Sequence, residues 1–527
     1  MSRTRRNALG LRSRGGTYTL VIGVVIGMLI AGLAIPFVFG QTLDPAQSAT
    51  SPLVPRDDVL AETESAGSPQ TDPAAPETAG EPGRGDGAAA TSPLPEQRPD
   101  DAAPGSVPPG SDVPAGLTSS DRGVTPTTIT LAFLLVELRG VSQFGFSVPG
   151  FDPETQKRYV NAFVDDLNAN GGVFSRKIDP KFFLYDPTDP SSGQAACRAA
   201  TQDHEIFAAL DVGAALDFPG QLCFTEQNRT PLIELGGFGT TQEMYDKSEG
   251  RLVTLFPSGV RSLANTAQEL ANQGLLEGKR IGIVDRDFPG TVQTVTDGMV
   301  ATLERLGYEV TYRADLSMDN GVATSEIPVV VQQMRARRVD AVMLLMDFIT
   351  STEFVQTADR SGYTPAYFMS DFGNMTNDIA LLAMPASFQG TAITTMRTGE
   401  WRVNYPEPAV DAACQEIYAD HSGDDPDRSE ANYSGAMISC GMVGLFARAA
   451  VGAGQELTRE RWVTGIQRIG AIPYPYFGGM SFGPGKVDGA DPIRTLVFEP
   501  SCPAPEGQGG GGPPCWMPVS DFRPPHY

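Results

Sequence analysis

The chain has 527 residues, enough for two or three domains, with 41% hydrophobic and 19% charged residues, an ordinary globular balance. Residues 1–40 hold five arginines (Arg3, Arg5, Arg6, Arg12, Arg14) and no acid, so the remaining chain sets 34 bases against 63 acids. So acidic a body argues against nucleic acid, or an anionic membrane surface, as its partner.

The elements begin with a basic segment, 1–19, expected to stay in the cytoplasm. Residues 20–40 follow with 21 positions free of charge, long enough to cross a bilayer as a helix. This stretch reads as an uncleaved transmembrane anchor or as a cleaved signal, with the body extracytoplasmic and either held at the cell membrane or secreted. No cysteine precedes Cys197, so a lipid anchor is not expected. Residues 41–122 are dominated by Pro, Ala, Ser, Gly, Asp and Glu, and so few apolar side chains predict a disordered linker.

From 127 onward, strands and helices alternate as a parallel sheet requires. Strands are expected at 129–136, 178–185, 208–212 and 231–235, with helices at 157–169, 194–203 and 218–226 between them. A second series holds helices at 262–273, 292–306, 327–337 and 353–361, with strands at 280–285, 309–314, 341–346 and 366–370. The most informative stretch is 158–186. Tyr159, Val160, Phe163, Val164 and Leu167 form one apolar stripe on a helix, Asn170-Gly171-Gly172 ends it, and an apolar run from Ile178 enters a sheet. Six cysteines fall in nearby pairs without metal spacing, and outside a membrane an even count reads as disulfides rather than as reactive thiols.

Phe163, Asp166, Asn168, Ala169, Gly171, Gly172, Arg176, Lys177 and Ile178 together resemble a segment of the type 1 periplasmic binding proteins that serve branched-chain amino-acid ABC transporters, the leucine-binding-protein-like family. Gly123–Leu131, Val339-Asp340-Ala341-Val342 and Phe368-Met369-Ser370-Asp371 are similar to strands of that family, and the resemblance runs from about 123 to 500. It implies an α/β fold: two Rossmann-like lobes with parallel sheets, joined by three hinge crossovers, here preceded by a transmembrane helix and a linker. Lobe one would comprise 123–256 and 396–478, and lobe two 257–395 and 479–500. The crossovers would lie near 256–259, 390–395 and 478–485, and 501–527 would be an appended tail. Sequential disulfides (Cys197–Cys223, Cys414–Cys440, Cys502–Cys515) are the expectation, and the resemblance supports the first.

Open parallel sheets bind ligands beyond the carboxyl ends of their strands. The loops to inspect are therefore 137–147, 213–218 and 236–241 in lobe one, and 285–290, 347–352 and 371–374 in lobe two. The resemblance implies that Gly237, Phe238, Thr240 and Thr241 offer backbone amides and hydroxyls to a ligand carboxylate; the alternative is that this glycine-rich run is a plain tight turn. Each of the six loops contains phenylalanine: Phe144 and Phe146, Phe218, Phe238, Phe288, Phe348, Phe372. With Asp217, Asp347 and Asp371 beside them, these rings suggest a ligand with an apolar or aromatic body and a cationic or donor head; the alternative is that several of the rings pack beneath the loops as core. Phe288 stands where amino-acid-binding relatives have a tyrosine. No H-E-x-x-H, P-loop or spaced set of metal ligands occurs and histidine is almost absent, so neither an enzyme nor a cofactor or metal is expected. The expected function is capture of a small molecule, an amino acid or a related amphiphilic or aromatic compound, for an ABC permease and its ATPases. The alternative is a membrane-tethered sensor or cell-envelope interaction protein built on the same fold.

Overall fold

The computed structural model describes residues 116–138, 152–187, 189, 191–236, 240–373, 376, 381, 383–399, 406–425, 428, 431–502, 512 and 514–526. The expected anchor and all but the last residues of the expected linker lie outside the described residues.

The first sheet is parallel throughout, in the order β2-β1-β3-β4-β5: β1 (Thr128–Val136), β2 (Lys177–Tyr185), β3 (Ala208–Asp211), β4 (Leu232–Glu234) and β5 (Leu252–Thr254). It is covered on both faces. Ile129, Leu131, Phe133 and Leu135 point into one apolar core, while Ala132, Leu134 and Val136 point into the other.

Helix α1 (Pro153–Ala169) starts where the Asp152 carboxylate accepts the Thr155 amide at 3.0 Å, with Pro153 in its first turn. Its buried face carries Tyr159, Val160, Phe163, Val164 and Leu167. Gly172, at φ 65°, takes the left-handed turn that ends the helix, and a Cβ there would meet the Arg176 carbonyl at 2.1 Å. The turn also seats Arg176, which is fully buried and donates to the carbonyls of Thr125, Gln455 and Thr118 at 2.8, 2.9 and 3.1 Å.

The second sheet has seven strands in the order β14-β13-β10-β9-β8-β6-β7. Its parallel part is β6 (Ile281–Arg286), β7 (Val310–Leu316), β8 (Ala341–Leu344), β9 (Ala366–Ser370) and β10 (Ala392–Thr395). β13 (Arg494–Glu499) and β14 (Cys515–Pro518) extend it antiparallel. Helix α2 (Gly259–Asn272) packs on one face of this sheet.

The chain crosses between lobes at 255–258, after β10 at 396–399, and again at the approach to β13. The second passage is a few residues later than 390–395, because Ala392–Thr395 is itself a strand of the second sheet. The third is later than 478–485. β12 (Met480–Phe482) pairs with β11 (Gly470–Ile472), and Met480, Phe482, Val487, Ala490 and Ile493 lie in the lobe-one core. The first and third passages hold one another, the Gly489 and Ala490 amides donating to Thr254 and Leu255 at 2.8 Å each; the second is held by Gly478, ahead of β12, whose amide donates to Met396 at 2.9 Å.

All three expected disulfides are present: Cys197–Cys223, Cys414–Cys440 and Cys502–Cys515. The helix Ala431–Ala453 is apolar enough to span a membrane, but it is mostly buried and serves as a core helix of lobe one.

The residues after 500 depart from the expected appended loop. Cys515–Pro518 is a strand, and Trp516 is fully buried against Phe388 and Phe498, with ring centroids 6.1 and 6.2 Å away. Trp516→Ala should therefore cost about 3–5 kcal/mol. Chemical denaturation would register that loss; a loose tail would leave the midpoint unchanged.

Candidate functional site

The loops at the carboxyl ends of the lobe-one strands are built over buried carboxylates. Asp211, at the end of β3, accepts the Tyr185 hydroxyl at 2.8 Å and the Leu216 amide at 3.0 Å. The Tyr185 oxygen in turn accepts the Ala215 amide at 2.9 Å, so two side chains shape the loop 213–217. Burial pushes the Asp211 carboxyl up to about 6. Glu234, at the end of β4, accepts the Thr240 hydroxyl at 3.3 Å. Burial, with the neighbouring Asp211 charge, raises Glu234 well above the usual carboxylate range.

Several expected ligand contacts also do structural work. Asp217 caps the turn Phe218–Leu222 by accepting the Gly220 amide at 3.0 Å, and burial pushes its carboxyl up to about 6. Its second oxygen is buried without a partner among the described residues. Asp347 caps helix α3 (Phe348–Arg360) through the Thr350 amide at 2.9 Å and pairs with the fully buried Arg286 at 2.8 Å. Arg286 also donates to the Ser317 and Met318 carbonyls at 2.8 Å each and lies 5.1 Å over the Phe288 ring. Asp371 is buried at the second passage, where Thr376, Thr395 and the Met396 amide donate to it at 2.6, 3.0 and 2.7 Å. Phe372 is buried in the lobe-two core, whereas Phe218, Phe288 and Phe348 are half-buried. Phe144, Phe146, Gly237 and Phe238 lie outside the described residues.

The lobes meet between two of the expected loops, 236–241 and 285–290. Gly290 has φ 79°, and a Cβ built on it would lie 2.7 Å from the Thr241 methyl. Thr241 and Thr291 are both buried; Thr241 forms a capping box with Met244 at the start of the helix Gln242–Ser248, and the Thr291 hydroxyl has no hydrogen-bond partner among the described residues. Deeper in, Gly259 at the start of α2 fits among Thr294, Phe372 and the Thr240 carbonyl; a Cβ there would meet them at 2.6, 3.1 and 3.2 Å. Thr291 carries no sequence signal. It follows Pro289-Gly290 as an ordinary helix start, and only the approach of lobe one gives it a role.

Residues 154–491, well over half of the chain, match the periplasmic binding protein family. The chain belongs to that family. Its members are solute-binding proteins rather than enzymes, and membership implies an extracytoplasmic location. No curated protein sequence matches this chain. Among solved structures, a fatty acid ABC transporter substrate-binding protein from Thermomonospora curvata is similar, with 18% identity and a TM-score of 0.55 over 78% of this chain and 96% of that one. A solute-binding protein of an ABC transporter from Rhodopseudomonas palustris BisB5, in complex with 3,4-dihydroxybenzoic acid, has 14% identity and a TM-score of 0.55 over 75% and 98%. A leucine-, isoleucine-, valine-, threonine- and alanine-binding protein from Brucella ovis, in a closed conformation, has 14% identity and a TM-score of 0.52 over 75% and 94%. At these identities the shared property is the fold.

Two predictions follow from the packing. Gly259→Val places a branched side chain between the lobes. It should cost about 1–3 kcal/mol and widen the particle in small-angle scattering, whereas a site with room to spare would leave the scattering unchanged. Asp211, Asp217 and Asp411 are each pushed up to about 6 by burial. Between an unfolded value near 4 and that folded value, the native state holds more protons than the unfolded one, so stability falls as pH rises across the window. The melting temperature should thus decline from about pH 4 to pH 6, and Asp211→Asn should flatten that decline.

Proposed function

We propose that this protein captures a small organic acid, an amino acid or an aromatic or otherwise amphiphilic carboxylate, between its lobes and presents it to an ABC permease. The observation that carries this reading is the approach of the two lobes at Gly290, where the Thr241 methyl closes on lobe two beside the buried Thr291. A buried hydroxyl without a partner is costly, and a ligand oxygen held between the lobes would satisfy that of Thr291, which has no partner among the described residues. Capture and closure are then one event, as a transporter-linked binding protein requires. The half-buried Phe218 and Phe288 supply apolar surface at the rims.

The Asp217 oxygen, which lacks a partner among the described residues, could accept from a ligand ammonium or hydroxyl, which keeps amino acids and hydroxylated aromatic acids within the class. Asp347 and Asp371, already committed to Arg286 and to the second passage, contribute shape rather than charge. In this reading, residues 20–40 hold the body at the membrane and 41–115 let it range over the permease.

A thermal-shift and calorimetry panel on the full chain tests the proposal: branched-chain amino acids, hydroxybenzoates, medium-chain fatty acids, and the amide of each acid. An acid should raise the melting temperature with concentration while its amide does not, and Thr291→Val should weaken binding about tenfold, the loss of one hydrogen bond to a charged group. Silence across the panel from a folded protein would favour a sensor or cell-envelope role.

A further inference from the structure

The segment after β14 touches more of the hinge than any loop of its length needs to. It begins as a continuation of the sheet. The Val519 amide donates to the Thr495 carbonyl at 3.0 Å, the Thr495 amide donates to the Ser520 hydroxyl at 2.9 Å, and Arg523 and Ile493 exchange both backbone bonds at 2.9 Å. Ile493 is the last residue of the third passage, so the segment clamps that passage where it enters lobe two.

Phe522 then reaches the second passage through two neighbours. Its ring lies against Gly478, whose amide donates to Met396 at 2.9 Å, and the Arg494 guanidinium stacks 4.6 Å over it. Arg494 is buried and donates to the carbonyls of Arg397 and Thr398 at 3.2 and 2.7 Å. The ring thus holds in place the cation that holds the second passage.

The segment ends on α2, the helix that starts from the first passage. The His526 amide donates to the Asn265 side chain at 3.0 Å, and its ring nitrogen lies 2.9 Å from the Glu269 carboxylate. Glu269 is fully buried, also accepts the Thr495 hydroxyl at 3.3 Å, and has Arg523 at 4.0 Å. A buried carboxylate needs such partners, so the end of the segment is fixed rather than draped.

We infer that residues 519–526 form a strap that couples the three passages and sets how freely the lobes rotate. The strap lies beyond 491, where the family match stops. Its consequence for capture rests on the reading above: a strap that stiffens the hinge narrows the range of lobe angles from which a ligand is taken up.

Hydrogen–deuterium exchange of the full chain, without ligand, tests the inference against Phe522→Ala and a chain ending at Ser520. Amides at 255, 256 and 258, at 396–398 and at 487–490 should exchange about tenfold faster in both variants, while those of β1 and β6 keep their protection. Should the shortened chain fail to fold, Phe522→Ala and Glu269→Gln, which leave the backbone pairing intact, give the same reading. Unchanged exchange at the passages, or a uniform rise across both lobes, would overturn the strap. Because no ligand is present, a failed ligand panel leaves this result standing, and a working panel does not supply it.

Discussion

The arrangement of the two lobes depends on carboxylates that bind backbone amides where the chain passes between them. Asp488 accepts the Ser258 amide at 2.8 Å and pairs with Arg261, joining the third passage to the first. Asp371 accepts the Met396 amide at 2.7 Å and so fixes the start of the second passage. A hydrogen bond to an ionised group is stronger than a neutral one and is costly to leave unmade. Each lobe can keep its own core intact while rotation is confined to a few residues around these anchors. The meeting of Thr241 with Gly290 depends on that confinement.

Much of the fold is legible in the sequence because local chemistry and tertiary role agree. The stripe Tyr159, Phe163, Leu167 and the stop at Gly171-Gly172 form a helix and its end for reasons contained within the segment. Arg176 shows the limit of such reading. The motif marks it, but its task of holding three carbonyls from distant segments exists only in the folded chain. Cys515–Pro518 was hidden because a four-residue strand among prolines and glycines has no periodicity to detect; pairing with β13 creates it. The loops follow the strands as the sequence predicts, and the bonds their residues make become visible only in the folded chain. Asp347 and Asp217 carry the sequence signal of a charge near a ligand and that of a helix cap alike, and only geometry separates the two.

Buried charge is distributed unevenly in this acidic protein. The buried arginines mostly serve carbonyls: Arg459 donates to Ile206, Phe207, Asn228 and Arg229, fastening the helix Arg459–Ile466 to strand β3 and the approach to β4. The buried acids Asp211 and Glu234 lie instead under the rim of lobe one, where burial favours their protonated forms. The scaffold is therefore held by cations that do not titrate, and the rim rests on acids that do.

The disulfides carry a consequence for assembly. Each joins a cysteine to the next one along the chain, over separations of 26, 26 and 13 residues, and none ties one lobe to the other. A chain emerging from a translocation pore N-terminus first would present each cysteine with its native partner before any competitor arrived. Lobe one cannot close until 409–493 has followed, because its core includes helices and strands from that late segment. Oxidation in order of emergence would keep the early half correctly bridged during the wait, so that a discontinuous domain need not depend on reshuffling to reach its native pairing.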